Sequence, residues 1–346
     1  MKMINPRLFE HYGIDTRKDL KMRTVCPRPF DTVLIDKRGS CYACECQSWL
    51  PQSIGNMQIQ SLADIVDSAT HRELQGAIRD GTYRYCNEHQ CAWLLDKKNP
   101  PEWPDQAPHT RIQHLRLAID DSCNLRCPSC RKGMTFHKEG AAYELGIRLA
   151  DRINDWLHRN EHAVQVHIGS DGDPFASHVY RHFMSRTPAR NNITYSLLTN
   201  GIMLPEFHEQ VPHVMNGLRE LGVSMDGATK NTYEKLRLGG RWDKITHALG
   251  EIKRLRGVYD FRFILHFVVQ RDNYHEMSDM VALARRYGAD RVWLNRITDW
   301  QTLDDFGQHD VANPRHPEHE RFLREFDRIR TEDNFVEYAT LEAGDA

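Results

Sequence analysis

Cysteine placement carries the most chemical information in this 346-residue sequence. Cys123, Cys127 and Cys130 share the run CNLRCPSC, while Cys26, Cys41, Cys44, Cys46, Cys86 and Cys91 lie ahead of it and none follows. Scattered core cysteines would not stop there, so the grouping points to metal ligation. Thiolates are soft donors that favour zinc, copper(I) or iron–sulfur clusters. A structural zinc normally takes four protein ligands, whereas three leave a position open, as in a catalytic centre. A second chemical stretch is Gly169-Ser170-Asp171-Gly172-Asp173-Pro174. Small residues there let backbone approach a ligand, and the carboxylates can accept hydrogen bonds from a charged amine, although such a run also serves as a plain turn. The nineteen histidines form no convincing metal set with acidic residues, and His167 and His266 read as core or surface residues. No G-x-S-x-G nucleophile elbow is present, so hydrolytic chemistry has no foothold.

These residues need elements to hold them. Short apolar runs at His114–Ile119, Val164–Ile168, Ile193–Leu198, Leu221–Met225, Phe261–Val269 and Arg291–Ile297 predict six strands. Between them, Leu145, Leu149, Ile153, Trp156 and Leu157 fall on one helical face, as do Ile245, Leu249, Ile252 and Leu255, and Met277, Met280, Val281 and Ala284. Strand alternating with helix implies parallel strands joined by right-handed crossovers. Six units are too few for a closed eight-stranded barrel, so the expected fold is α/β, a partial (β/α)6 barrel that stays open. The three-cysteine run follows the first strand at its carboxyl end, where such folds place their chemistry.

Ahead of this region, four prolines among charged residues in LDKKNPPEWPDQAPHT mark a boundary. The expected division is a small cysteine-rich domain at 1–100, a linker at 101–111, the barrel at 112–300 and a helical extension at 301–346. Within the first domain, DTVLID and the Cys41–Cys46 run predict a hairpin, helices follow at Ser61–Asp67 and His71–Ile78, and Cys86 and Cys91 lie in a Tyr-rich loop. Pro314–Arg330 reads as a charged surface helix.

The CxxxCxxC spacing, its place after the first strand and the pattern downstream resemble the radical S-adenosylmethionine superfamily. That resemblance implies a [4Fe–4S] cluster on Cys123, Cys127 and Cys130, with S-adenosylmethionine on the open iron. Gly169, Ser170, Asp171, Gly172 and Asp173 are similar to the family's Gly-Gly-Glu-Pro segment, which binds the methionine amino group. Thr199 and Asn200 follow the third strand, and Ser224 and Asp226 match positions that contact ribose or the methionine moiety. Arg237, ahead of Gly239-Gly240, resembles an arginine that reaches the cofactor carboxylate, and Gln270, Asn273 and Glu276 match loop-fixing positions. Where the family often carries an aromatic residue before its third cysteine, this sequence has Ser129. The implied activity is reductive cleavage of S-adenosylmethionine to a 5′-deoxyadenosyl radical that abstracts hydrogen from a substrate carbon. Its outcome would be peptide modification, or oxidation or epimerisation of a small polar molecule.

The front domain resembles the SPASM or shorter twitch module, an auxiliary iron–sulfur unit that better-known members carry after the barrel. Cys26, Cys44, Cys86 and Cys91 are its expected ligands, with Cys46 as substitute for Cys44 and Cys41 as a spare thiol; a Zn–Cys₄ site is the competing reading. Six thiols allow one four-cysteine cluster and not two. An external one-electron donor such as flavodoxin or ferredoxin is implied. The alternative function is a non-catalytic iron–sulfur or zinc protein for electron transfer or scaffolding, which would need the cysteines but not the loops after strands two to four.

Composition bounds the partners. The 46 Lys plus Arg against 48 Asp plus Glu leave a net charge of −2, which argues against a dedicated nucleic-acid binder. The longest apolar stretch contains Arg262 and His266 and falls short of the roughly 20 residues that span a bilayer. The N-terminus lacks the apolar core of a secretory signal, so a cytoplasmic location with reduced thiols is expected.

Overall fold

The computed structural model describes residues 26–88, 91, 94, 111–330, 334–338 and 341. Nearly all of the expected linker at 101–111 therefore lies outside the described residues. The architecture is α/β around a mainly parallel sheet. Six strands, β4 (His114–Ala118), β5 (Val164–Ile168), β6 (Ile193–Thr199), β7 (Leu218–Ser224), β8 (Arg262–Val269) and β9 (Arg291–Arg296), pair in sequence order, all parallel. They coincide with the six predicted strands to within a few residues.

One face of this sheet is apolar. Leu117, Ile168, Leu197, Leu221 and Phe263 pair across five neighbouring strands and are fully buried. Helices cover them. Leu149, Ile153 and Leu157 of Gly140–Arg159, Ile245, Leu249 and Ile252 of Trp242–Leu255, and Met277 and Met280 of Met277–Arg286 all turn inward. Each such side chain contributes about 1.5–3 kcal/mol of burial. Leu145 and Trp156, at the edge of the first helical stripe, are only partly buried.

The opposite face differs. On β4 and β5 the alternate residues are His114, Arg116, Gln165 and His167, all half-buried. Parallel strands usually read as continuous apolar runs because both faces are covered. Polar residues at every second position mark a face that no helix among the described residues clads.

The sheet does not stop at the expected boundary. β1 (Thr32–Asp36) lies parallel to β4 over five residue pairs, and β2 (Ser40–Tyr42) and β3 (Ser53–Asn56) extend it antiparallel. At the far edge β10 (Val336–Glu337) pairs parallel with β9, giving ten strands among the described residues. The region after residue 300 thus supplies a strand as well as its helix, His319–Ile329, which begins later than predicted and buries Phe322 and Ile329. The predicted return strand at Cys41–Cys46 ends at Tyr42, where its pairing with β3 is bulged. The helices Leu62–Val66 and Ala69–Arg79 are capped by Ser61 and Ser68, whose side chains accept from Asp64 N and His71 N at 3.1 Å.

Candidate metal centres

The CNLRCPSC run occupies the loop after β4. Cys123 N bonds Thr135 O and Arg126 N bonds Leu238 O, both at 2.9 Å, so the loop is pinned on both sides. Cys130 N and Arg131 N both donate to Cys127 O at 3.0 Å, which turns the chain and leaves Cys130 exposed while Cys123 and Cys127 are buried. Burial pushes the Cys123 thiol up to about 11 and raises Cys127 as well, an effect Arg237 opposes at Cys127. A metal must therefore displace these protons when it binds.

Three N–H groups point at the sulfurs. Leu125 N lies 3.4 Å and Asn200 Nδ2 3.7 Å from Cys123 Sγ, and Arg237 Nη1 lies 3.6 Å from Cys127 Sγ. Such donors stabilise cluster-bound thiolates and tune their potential. Arg237 Nε and Tyr233 Oη are buried beside Cys127 with no protein partner. Soft donors, inward N–H groups and orphaned polar atoms together fit an iron–sulfur group with a polar ligand.

Two buried carboxylates organise this site. Asp173 Oδ1 accepts from Phe175 N at 3.1 Å and Ala176 N at 3.0 Å, while Oδ2 accepts from Thr199 Oγ1 and Asn200 N at 2.8 Å. At 1% exposure the carboxylate is consumed by its own chain, so the expected acceptance from a charged amine does not fall to its side chain. Instead it ties the loop after β5 to the end of β6. Asn200 continues the link, donating to Asn124 Oδ1 at 2.8 Å. Asp226, in the left-handed region at φ 54°, pairs with Arg237 at 2.8 Å and accepts from Val268 N at 2.8 Å. Arg237 is thereby held by Asp226 and Cys127. Asn273 and Glu276 fix the same corner: Asn273 Nδ2 donates to Asp226 O at 3.0 Å, and Glu276 Oε2 accepts from Ala228 N at 2.7 Å.

The loop after β5 requires its glycines. Gly169 has φ +101°, and a Cβ there would fall 2.1 Å from Leu198 O; at Gly172, φ +70°, it would fall 2.6 Å from Asp120 O. The backbone of this loop thus lies directly against the β4 and β6 ends. Ser170 is exposed, and Asp171 is half-buried with Lys37 Nζ 3.9 Å away. Ser224 ends β7 beside His266. None of these three joins the two carboxylate networks.

In the N-terminal module, Cys26, Cys44, Cys86 and Cys91 line one small cavity with Trp49 and Tyr83. Burial raises Cys26 and pushes Cys44 and Cys86 up to about 12. Cys46 instead meets Ser48 Oγ at 3.0 Å. The expected interchange of Cys44 and Cys46 rested on strand periodicity, and the strand has ended before either. Cys41 is buried in β2, its thiol 3.8 Å from Gly39 O.

Sequence reasoning passed over Arg28, His114 and Arg116, which gather around His167, with Arg116 also close to Glu45 and Cys44. Their signal was present: alternate polar residues in β4, a strand expected to be apolar throughout. Among the described residues no helix is long and apolar enough to cross a membrane.

Residues 119–284 match the radical SAM superfamily, and residues 26–92 match the SPASM iron–sulfur cluster-binding domain. The chain is similar to GTP 3',8-cyclase of Alkaliphilus oremlandii, 26% identical over 150 residues, which covers 42% of this chain and 44% of that one. It is 26% identical to mycofactocin maturase MftC of Mycobacterium ulcerans over 235 residues, covering 66% and 59%. With PqqA peptide cyclase of Gluconobacter oxydans it shares 27% identity over 183 residues, covering 51% and 47%. The chain spans about half the length of the curated relatives it matches.

Proposed function

Because the chain belongs to the radical S-adenosylmethionine superfamily and carries an N-terminal SPASM iron–sulfur module whose strands extend its sheet, we propose that it is a radical enzyme acting on a peptide or a small polar molecule. Cys123, Cys127 and Cys130 would hold a [4Fe–4S] cluster that also binds S-adenosylmethionine. Bound there, the cluster would supply one electron to the cofactor's sulfonium, chemistry that would open the way to hydrogen abstraction from an unactivated carbon. The observation that carries this reading is the three-thiol loop with N–H donors aimed at two of its sulfurs.

The chain's own contribution is positioning. The backbone of Gly169, Ser170, Asp171 and Gly172 would face the cofactor's amino end, held there by Asp173. Thr199 and Asn200 couple that loop to Cys123. Asp226 orients Arg237 beside Cys127, and the Arg237 Nε and Tyr233 Oη would supply donors to the cofactor's polar groups. Ser224 completes the edge. Enclosure of this edge would exclude water and competing hydrogen donors, which the reaction requires.

Cys26, Cys44, Cys86 and Cys91 would hold one auxiliary cluster in a module within residues 1–100, followed by the linker at 101–111, the catalytic sheet at 112–300 and the extension at 301–346. Electrons would come from an external donor of the flavodoxin or ferredoxin type. The names of two relatives, one a GTP cyclase and one a peptide cyclase, support the substrate range. Anaerobically reconstituted protein given reductant and S-adenosylmethionine should yield 5′-deoxyadenosine, and Cys127→Ala should abolish it. A wild type that holds only zinc and forms no product would refute the reading.

A further inference from the structure

Arg116 lies mid-strand on β4, on the face that no helix among the described residues covers, between Leu34 of β1 and His167 of β5. Its Nε is buried without an acceptor. The carboxylate that acts on it is Glu45, and Glu45 is already ion-paired with Arg28, whose own Nε is also buried and unpartnered. Asp31, which acts on Arg28 and His114, is engaged by Thr32 Oγ1 at 2.6 Å. His114 and His167 lie alongside, Nδ1 to Nε2 at 3.2 Å, with burial and the arginines keeping His167 neutral down to about pH 3. They bring no negative charge.

A guanidinium N–H taken out of water without an acceptor is costly, and each such group in a native fold calls for an explanation. Orphaned donors on two arginines define what that is: a group with several acceptor oxygens and negative charge, matching the guanidinium fork. The place is informative as well. Arg116 sits about 7 Å below the end of β4, from which the CNLRCPSC loop departs. Arg28 lines the same cavity as Cys26, Cys44, Cys86 and Cys91.

We propose that Arg116, assisted by Arg28, binds an oxyanion of the substrate, a carboxylate or a phosphate, on the sheet face beside the four-thiol cavity. The identity of the ligand as substrate rests on the radical-enzyme reading; the anion site does not.

Equilibrium dialysis of the cluster-loaded full chain in chloride-free buffer, against radiolabelled inorganic phosphate and separately against acetate, tests this. The expected result is one site per chain for at least one probe, weakened about tenfold or more by Arg116→Met and less by Arg116→Lys. Preference for phosphate would indicate a phosphorylated substrate, and preference for acetate a carboxylate. Because Arg116 makes no hydrogen bond or ion pair among the described residues, Arg116→Met should melt no lower than wild type. Equal binding in wild type and Arg116→Met, binding of neither probe, or a Tm lowered by Arg116→Met would each overturn the proposal. If Arg116→Met does not accumulate, Arg116→Gln is read against the same criteria. Formation of 5′-deoxyadenosine by the wild type is measured in parallel: its absence defeats the radical reading, while its presence with unaltered anion binding defeats this inference alone.

Discussion

Replacing Asp173 by asparagine separates a carboxylate that organises the site from one that touches the cofactor. In the wild type four donors converge on it: Phe175 N, Ala176 N, Thr199 Oγ1 and Asn200 N, at 2.8–3.1 Å. An asparagine offers one acceptor oxygen and one NH₂. The less costly orientation keeps the oxygen on Phe175 N and Ala176 N and turns the NH₂ toward Thr199, whose hydroxyl can reverse. Asn200 N–H then loses its acceptor inside the protein, which costs about 1–3 kcal/mol, and the two retained backbone bonds lose their charge assistance. Removing a buried charge returns part of this, since burial raises the Asp173 pKa. The net expectation is a loss of about 2–4 kcal/mol. Denaturant unfolding of the reduced apo protein measures it directly. Where the variant is still folded, its S-adenosylmethionine affinity should fall only moderately, because the Gly169–Gly172 backbone is loosened rather than removed. If Asp173→Asn unfolds at the wild-type midpoint yet loses cofactor binding altogether, the carboxylate contacts the cofactor and the organising role is wrong.

Two further outcomes follow from the same geometry. His167 is held near pKa 3 by burial and by Arg116, His114 and Arg28, against an ordinary value of 6.5, so the unfolded chain binds the extra proton between those limits and stability falls as pH drops from 6.5 toward 3. His167→Gln should therefore lose about 1–2 kcal/mol less than wild type between pH 8 and pH 5 in denaturant titrations; equal losses would refute the depressed pKa. Iron content after reconstitution should drop by one cluster in Cys44→Ser and stay at the wild-type level in Cys41→Ser, because Cys44 lines the four-thiol cavity and Cys41 is packed into β2. The reverse pattern would reassign the auxiliary site.

Much of the architecture was legible because it is written in local periodicity. Val164–Ile168 was read to the residue, and the helical stripes such as Ile245, Leu249, Ile252 and Leu255 appear buried as expected. What escaped was non-local. The parallel pairing of β1 with β4 joins segments some 80 residues apart, and β3 and β10, at four and two residues, are too short to show a period. The same limit applies to the site. Spacing singled out Cys123, Cys127 and Cys130 as candidates, yet it could not show that Asp173 spends its acceptors on Thr199 and Asn200, or that Asp226 and Cys127 both hold Arg237. Arg116 was visible as a polar intrusion into a strand, but that its Nε meets no acceptor is apparent only in three dimensions.

The central claim is that the CNLRCPSC loop holds a cluster with one iron left for S-adenosylmethionine. Electron paramagnetic resonance of the reduced protein, with Cys26, Cys44, Cys86 and Cys91 replaced by alanine to silence the auxiliary site, tests it most directly. The account predicts a single [4Fe–4S] signal whose g values move when S-adenosylmethionine is added. A cluster signal that ignores the cofactor, with every iron already ligated by the chain, would contradict it.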